Sequence, residues 1–305
     1  TEAGFWAAQI AGAASAGIRL VCVAITPDSF EGGGMEWIGA TEPLPTSWQT
    51  ALDRAIVLHP TVLFILRFYA QSADLPNIVF ANASNSTQRV TCPHSSVCSA
   101  MNSITPHWAN VTGGRIQQLL MAFDKHYPGR IAGVAPSQLH TSEWIQIAMD
   151  EFGWVPDYSE VRRADYCHWK REMHECKLPA PLAWQAPALN DSYASPTAAS
   201  YAIWQADTIA AAISTLAGAA KAVSGGKILT MSYCGYDLRV QERLLRRPEL
   251  NAISGCYHYT TPTRHIEGPY VPIVPWDHAT AAGKLVMAED DTRTPFAAPG
   301  CSNGG

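Results

Sequence analysis

At 305 residues the chain has room for one large α/β barrel or two ordinary domains, and with 47% apolar residues it can bury a large core, which excludes global disorder. Only 15% of the residues are charged and the net charge is −5, which argues against nucleic acid or an anionic membrane as principal partner. No apolar run is long enough to span a bilayer.

Residues 2–16 are alanine-rich, with Phe5, Trp6, Ile10 and Ala14 at helical spacing and Gly17 placed to end a helix. Positions 18–25 read as a buried strand leading to Pro27 and Asp28. A Gly/Pro-rich loop follows over 31–45; its Gly32-Gly-Gly34 lacks a phosphate-loop pattern and reads as a turn. Ser47 can cap a helix through about 59, and 61–66 is the next apolar strand, ending at Arg67. Helix alternating with strand is the pattern of a parallel sheet.

The stretch from about 68 to 113 breaks this rhythm. It is polar, carries Cys92 and Cys98, and is far longer than a usual connection. It reads as a disulfide-pinned loop that either decorates the surface or walls a cleft. Helix resumes over 114–126 and strand over 130–134. Asp157-Tyr-Ser159 starts a helix expected over 160–176, and a proline-rich link covers 178–187. The longest helix is expected over 200–223, with Ile203, Ile209, Ile213 and Leu216 at recurring spacing and Gly225-Gly226 at its end. A strand at 227–232 runs into Tyr233-Cys-Gly-Tyr236, a short helix covers 241–247, and a strand at 252–255 opens onto Cys256-Tyr-His-Tyr259. The last strand begins near Leu285, and 295–305 reads as a loose tail. Six strands result, centred near 20, 64, 132, 229, 254 and 286. Arg67, Glu143, Tyr233, His258 and Glu289 all fall at or just after their C-terminal ends, the face that holds the active site in α/β barrels.

Eight cysteines, an even number, point to disulfides. Cys92 with Cys98 and Cys167 with Cys176 look like local staples; Cys22, Cys234, Cys256 and Cys301 fit either disulfides or buried thiols. His168 and His174 flank one staple, but their irregular spacing fits surface histidines better than a zinc site, and no metal is expected. Glycosylation triplets begin at Asn82, Asn85, Asn110 and Asn190, three of them in the cysteine-bearing loop region. A mature, glycosylated, secreted or extracellular chain without a signal peptide is the expectation.

Two segments carry chemistry. In Lys284-Leu-Val-Met-Ala-Glu-Asp-Asp-Thr-Arg293 a short apolar run opens onto three carboxylates, a hydroxyl and a guanidinium. A buried strand cannot carry that polarity, so it must end there and present the acids at its mouth. Arg130-Ile-Ala-Gly-Val, running on to His140-Thr-Ser-Glu143-Trp144, repeats the pattern with one acid. Two carboxylates at the ends of two strands of one barrel are the equipment of a glycosidase. Ten tryptophans and eleven tyrosines offer faces for sugar rings, although core and rim packing accounts for most of them. A serine hydrolase finds little support, since there is no Gly-x-Ser-x-Gly elbow.

In order along the chain, Pro60-Thr-Val-Leu-Phe-Ile-Leu-Arg67, Arg130-Ile-Ala-Gly133 with Ser142-Glu-Trp144, Asp157-Tyr-Ser159, Leu244-Leu-Arg-Arg-Pro-Glu-Leu-Asn-Ala-Ile-Ser254 and the segment from Gly283 to Thr294 resemble clan A glycoside hydrolases. The likeness is to β-galactosidase-like enzymes related to family 42. It implies a single (β/α)8 TIM-barrel-like domain over 1–305, incomplete in that the first and eighth strands are not evident. It implies Glu143 as acid/base and Glu289 as nucleophile of a retaining, double-displacement cleavage of β-glycosidic bonds. Arg67, Trp144, Tyr233, His258, Tyr259 and Arg293 would line the sugar site, and no cofactor is needed. One departure is Ser142, where many clan A enzymes have an asparagine that binds the sugar 2-hydroxyl. The partner implied is a carbohydrate, with a homo-oligomer or extracellular assembly compatible. The competing expectations are an inverting hydrolase and a non-catalytic carbohydrate-binding or structural glycoprotein built on a glycosidase-like barrel.

Overall fold

The computed structural model describes residues 2–25, 44, 46–70, 104–137, 144, 148–150, 153–155, 159–171, 176, 196–233, 238–255 and 275–288. In chain order the elements are α1 (Glu2–Ser15), β1 (Leu20–Ile25), α2 (Thr46–Leu58), β2 (Leu63–Tyr69), α3 (Pro106–His126), β3 (Ile131–Ser137), β4 (Ala148–Asp150), β5 (Gly153–Val155), α4 (Glu160–Lys170), α5 (Pro196–Ser224), β6 (Leu229–Tyr233), α6 (Leu238–Leu245), β7 (Ala252–Gly255), α7 (Trp276–Ala281) and β8 (Leu285–Ala288). Six strands form one parallel sheet in the order β1-β2-β3-β6-β7-β8, while β4 and β5 make a separate antiparallel pair. Among the described residues β1 and β8 do not pair with each other. The fold is thus an α/β fold with a curled, open six-stranded parallel sheet, consistent with an incomplete (β/α)8 barrel.

Alternation along the strands separates two faces. Phe64, Leu66 and Phe68 of β2, Val134 of β3 and Ile253 of β7 join the main core, with Val21, Val23 and Val286 packed against it. The helices cover this convex face. On α5 the buried stripe Ala206, Ile209, Ala210, Ile213, Leu216, Ala217 and Ala220 follows helical spacing and meets Ile116, Leu119, Leu120 and Phe123 of α3. The two helices approach closely: a Cβ added at Gly113 would lie 3.2 Å from that of Ala219, and Gln117 donates to the Ala219 carbonyl at 3.2 Å.

The concave face holds a second, small cluster of Ile65, Ala135, Met231 and Ala252 with Tyr233 against it. Strands buried on both faces read as near-continuous apolar runs, as β2 does up to Arg67, while β6 alternates but keeps its Thr230 and Ser232 fully buried. Gly133 lies in this layer with no room for a side chain, since an added Cβ would meet the Leu229 carbonyl at 3.2 Å and Ile65 Cγ1 at 3.3 Å. Towards the open edges the same face is less covered: Leu20 of β1 and Leu285 of β8 are 45% and 57% exposed.

Two boundaries differ from expectation for clear reasons. Helix α3 starts at Pro106, so the long loop ends eight residues early; the Thr105 hydroxyl accepts the Trp108 N–H at 3.1 Å, and proline suits the first helical position. Helix α4 stops at Lys170, followed by Arg171 in the left-handed region at φ 60°. Cys167 and Cys176 are joined by a disulfide with Cα atoms 5.5 Å apart. A continuous helix would separate residues nine apart by about 13 Å, so the helix has to end between them.

At the N-terminal end of the sheet a polar network holds β6, β7 and β8 in line. Lys284 Nζ donates to the carbonyls of Arg247 and Leu250 at 2.7 and 2.6 Å, and Lys221 Nζ donates to Asn251 Oδ1 at 2.8 Å. Asn251 Oδ1 also accepts the Thr230 N–H at 3.1 Å, and Ser214 donates to Glu249 Oε2 at 2.6 Å. Burial disfavours the Glu249 carboxylate, but the Ser214 hydroxyl, a backbone N–H, Arg247 and Lys284 outweigh it and hold its pKa below the ordinary value. A depressed carboxylate stabilises the folded state above the ordinary glutamate value of 4.5, and that contribution is lost as pH falls through the folded value. Glu249→Gln is therefore expected to cost about 0.5–1 kcal/mol at neutral pH, allowing for solvent screening. The difference from the parent should shrink in urea titrations below pH 4.5; a constant difference across that range would refute the ionic origin.

Candidate active site

The C-terminal ends of the strands carry the polar groups. Arg67 stands two residues after Ile65 on β2, hence on the concave face, opposite Ala24 of β1 and Ala135 of β3. Its guanidinium carbon lies 5.1 Å from the centroid of the Tyr233 ring, a cation–π contact that spans β3 from the end of β2 to the end of β6. Both side chains are half-buried, so each keeps surface for a ligand. Tyr233 pairs with Ser254 of β7, and Ser254 with Met287 of β8, which makes a row across three strand ends. Ser254 is buried, as is Ser137 at the end of β3, whose carbonyl accepts the Ala70 N–H at 2.6 Å.

Trp144 is fully buried at this mouth. Its backbone N–H donates to the Tyr233 carbonyl at 3.2 Å and its indole N–H to the Pro136 carbonyl at 2.9 Å. The ring meets Trp108 of α3 edge-on, at 6.4 Å between centroids and 74°. With its faces packed in this way, Trp144 supplies position rather than a platform for a sugar. Trp108 was hidden from sequence reasoning because its segment read as loop; the Thr105-Pro106 pair, a capping residue before a helix-starting proline, is the signal that finds it.

The structure thus brings together Arg67, Trp144 and Tyr233. Glu143, Glu289, His258, Tyr259 and Arg293 lie outside the described residues, as do Cys92, Cys98, Asn82, Asn85 and Asn190. Asn110 is exposed on α3, whereas Thr112, the third residue of its triplet, is 3% exposed. The Cys167 sulfur is taken by its disulfide, and among the described residues no group of three His, Cys, Asp or Glu side chains is placed to hold a metal ion.

The chain matches no protein-family model and no curated protein. Among solved structures it is similar to the catalytic domain of a β-amylase from Paenibacillus polymyxa, at TM-score 0.59 and 12% identity, over 94% of this chain and 82% of that one. It is also similar to a β-galactosidase from the psychrophilic Marinomonas ef1, at TM-score 0.50 and 12% identity, over 83% of this chain and 38% of that one. A polyextremophilic β-galactosidase from the Antarctic haloarchaeon Halorubrum lacusprofundi matches at TM-score 0.54 and 11% identity, over 95% of this chain and 51% of that one. The likeness is one of fold. It is shared with glycosidases of more than one kind, so family 42 is not singled out, and the chain spans about half or less of either β-galactosidase chain.

Proposed function

We propose that the protein is a secreted retaining glycoside hydrolase acting on β-glycosidic bonds, with Glu289 as nucleophile and Glu143 as acid/base. The observation that carries this reading is the junction of Trp144 with Tyr233 beneath the Arg67 guanidinium. It sets the residue that follows Glu143 against the mouth of β6, on the tyrosine whose ring carries the Arg67 cation. Support for Glu289 comes from β8, which it follows directly in sequence: Val286 packs on the helix side, so Leu285 and Met287 take the concave side, the side on which Arg67 and Tyr233 meet. The glycosidase fold of the similar structures adds to this.

In the first step a Glu289 carboxylate oxygen attacks the anomeric carbon while Glu143 gives its proton to the departing glycosidic oxygen. In the second, Glu143, now a carboxylate, takes a proton from water, whose oxygen displaces Glu289 from the anomeric carbon. The steps ask for an ionised Glu289, which a neighbouring cation would favour, and a protonated Glu143, which apolar surroundings would favour. The two carboxyl groups must stand about 5–5.5 Å apart for this sequence of steps.

The test is a panel of aryl β-glycosides followed by proton NMR of the sugar released from the substrate cleaved best. The β-anomer appearing first is expected. The α-anomer first would establish inversion and remove the covalent step. A second reading, a barrel that binds carbohydrate without cleaving it, draws on the exposure of the concave face at β1 and β8. Glycan retention on an immobilised column without turnover would favour it.

A further inference from the structure

We infer that Trp144 is a positioning residue that bridges the parted ends of β3 and β6 and so sets the place of the acid/base group; this rests on the reading of Glu143 above. The ladder between β3 and β6 consists of two residue pairs, Gly133 with Leu229 and Val134 with Thr230, while both strands continue towards the mouth. Pro136 has no N–H to offer a neighbour at that height, and its carbonyl accepts the Trp144 indole instead. The Tyr233 carbonyl, at the corresponding end of β6, accepts the Trp144 backbone N–H. One residue therefore supplies a hydrogen bond to each of the two strand ends, and Trp108 holds its ring from the helix side. Glu143 is joined to Trp144 by a single peptide, so their Cα atoms are about 3.8 Å apart whatever the backbone does before them. Moving Trp144 moves the acid relative to Tyr233.

The test uses Trp144→Phe in the full chain, which removes the indole N–H and keeps an aromatic ring. Two substrates share the sugar that the parent cleaves best: one leaves as phenol, the other as 2,4-dinitrophenol. The first needs a proton from the acid as the bond breaks, and the second does not. A misplaced acid is expected to lower kcat/KM for the phenyl substrate roughly 10- to 100-fold and to leave the dinitrophenyl value within about twofold of the parent. A merely structural role would lower both alike, and that result, or no loss on either, overturns the inference. A parent that cleaves neither substrate overturns the functional reading itself, and this inference with it. Should Trp144→Phe fail to fold by near-UV circular dichroism, Trp108→Phe takes its place. Trp108 has a buried indole N–H with no hydrogen-bond partner among the described residues, so phenylalanine there removes no such bond. It should show the same bias between leaving groups, by a smaller factor, and an even loss again overturns the inference.

Discussion

Glu289→Gln is expected to lower kcat by about 10³-fold or more on any aryl β-glycoside that the parent cleaves, an effect of roughly 4 kcal/mol or more on the barrier. Glutamine keeps the shape of the side chain and loses the anionic oxygen, so no glycosyl-enzyme bond can form and the two-step route closes. The loss should be similar for good and poor leaving groups, because attack at the anomeric carbon is needed for both. Glu143→Gln is the contrast, since its effect should grow as the leaving group becomes more basic. Mass spectrometry after incubation with a 2-deoxy-2-fluoro glycoside separates the roles further. The parent should gain the mass of one sugar on the peptide that contains Glu289, and Glu289→Gln should gain none. Retention of more than a tenth of the parental rate by Glu289→Gln would remove Glu289 from the reaction.

The sheet was legible because its central strands are covered on both sides. Leu63–Tyr69 is apolar but for Arg67, Leu229–Tyr233 keeps only the buried Thr230 and Ser232 among its apolar residues, and the long helix α5 announces itself by alanine-rich periodicity. All six expected strands occur, in one parallel sheet and in chain order. The pair β4 and β5 passed unnoticed, since three residues are too few to show an alternation. The end of α4 was readable in principle. A staple between Cys167 and Cys176 and an unbroken helix through both exclude each other, and the disulfide prevails. At the site, the gathering of Arg67 and Tyr233 followed from one rule, that polar groups at the strands' C-terminal ends face a common mouth. The role of Trp144 did not follow. Whether a tryptophan is a sugar platform or a buried anchor depends on what covers it, and here the cover is Trp108, from a helix that begins 38 residues earlier at Pro106.

Arg162→Met is expected to destabilise the protein by about 3 kcal/mol at neutral pH, from the loss of a hydrogen bond with a charged donor and of a desolvated cation–π contact. Arg162 is fully buried on α4. It donates to the Ile104 carbonyl at 2.6 Å, and its guanidinium lies 4.1 Å from the centroid of the Trp204 ring on α5, within the Tyr166, Tyr201 and Trp204 cluster. Methionine keeps much of the stem's packing and removes the charge, leaving the Ile104 carbonyl without that donor. Burial raises the pKa of Asp165, and Arg162 and His168 pull it back; without Arg162 the carboxylate becomes harder to ionise. A carboxylate with a raised folded pKa costs stability once it ionises, so part of the loss in Arg162→Met should vanish as pH falls through the folded pKa of Asp165. The hydrogen bond and the cation–π contact contribute at every pH. Urea unfolding at pH 7 and at pH 4 distinguishes the parts: a loss under 1 kcal/mol, or one larger at pH 4, would contradict the assignment. The consequence reaches the mouth of the sheet. Ile104 immediately precedes Thr105, the cap of α3, and α3 presents Trp108 to Trp144 in its first turn. Loosening Arg162 therefore loosens the support of the residue that follows Glu143, and turnover by Arg162→Met should fall at temperatures well below its Tm.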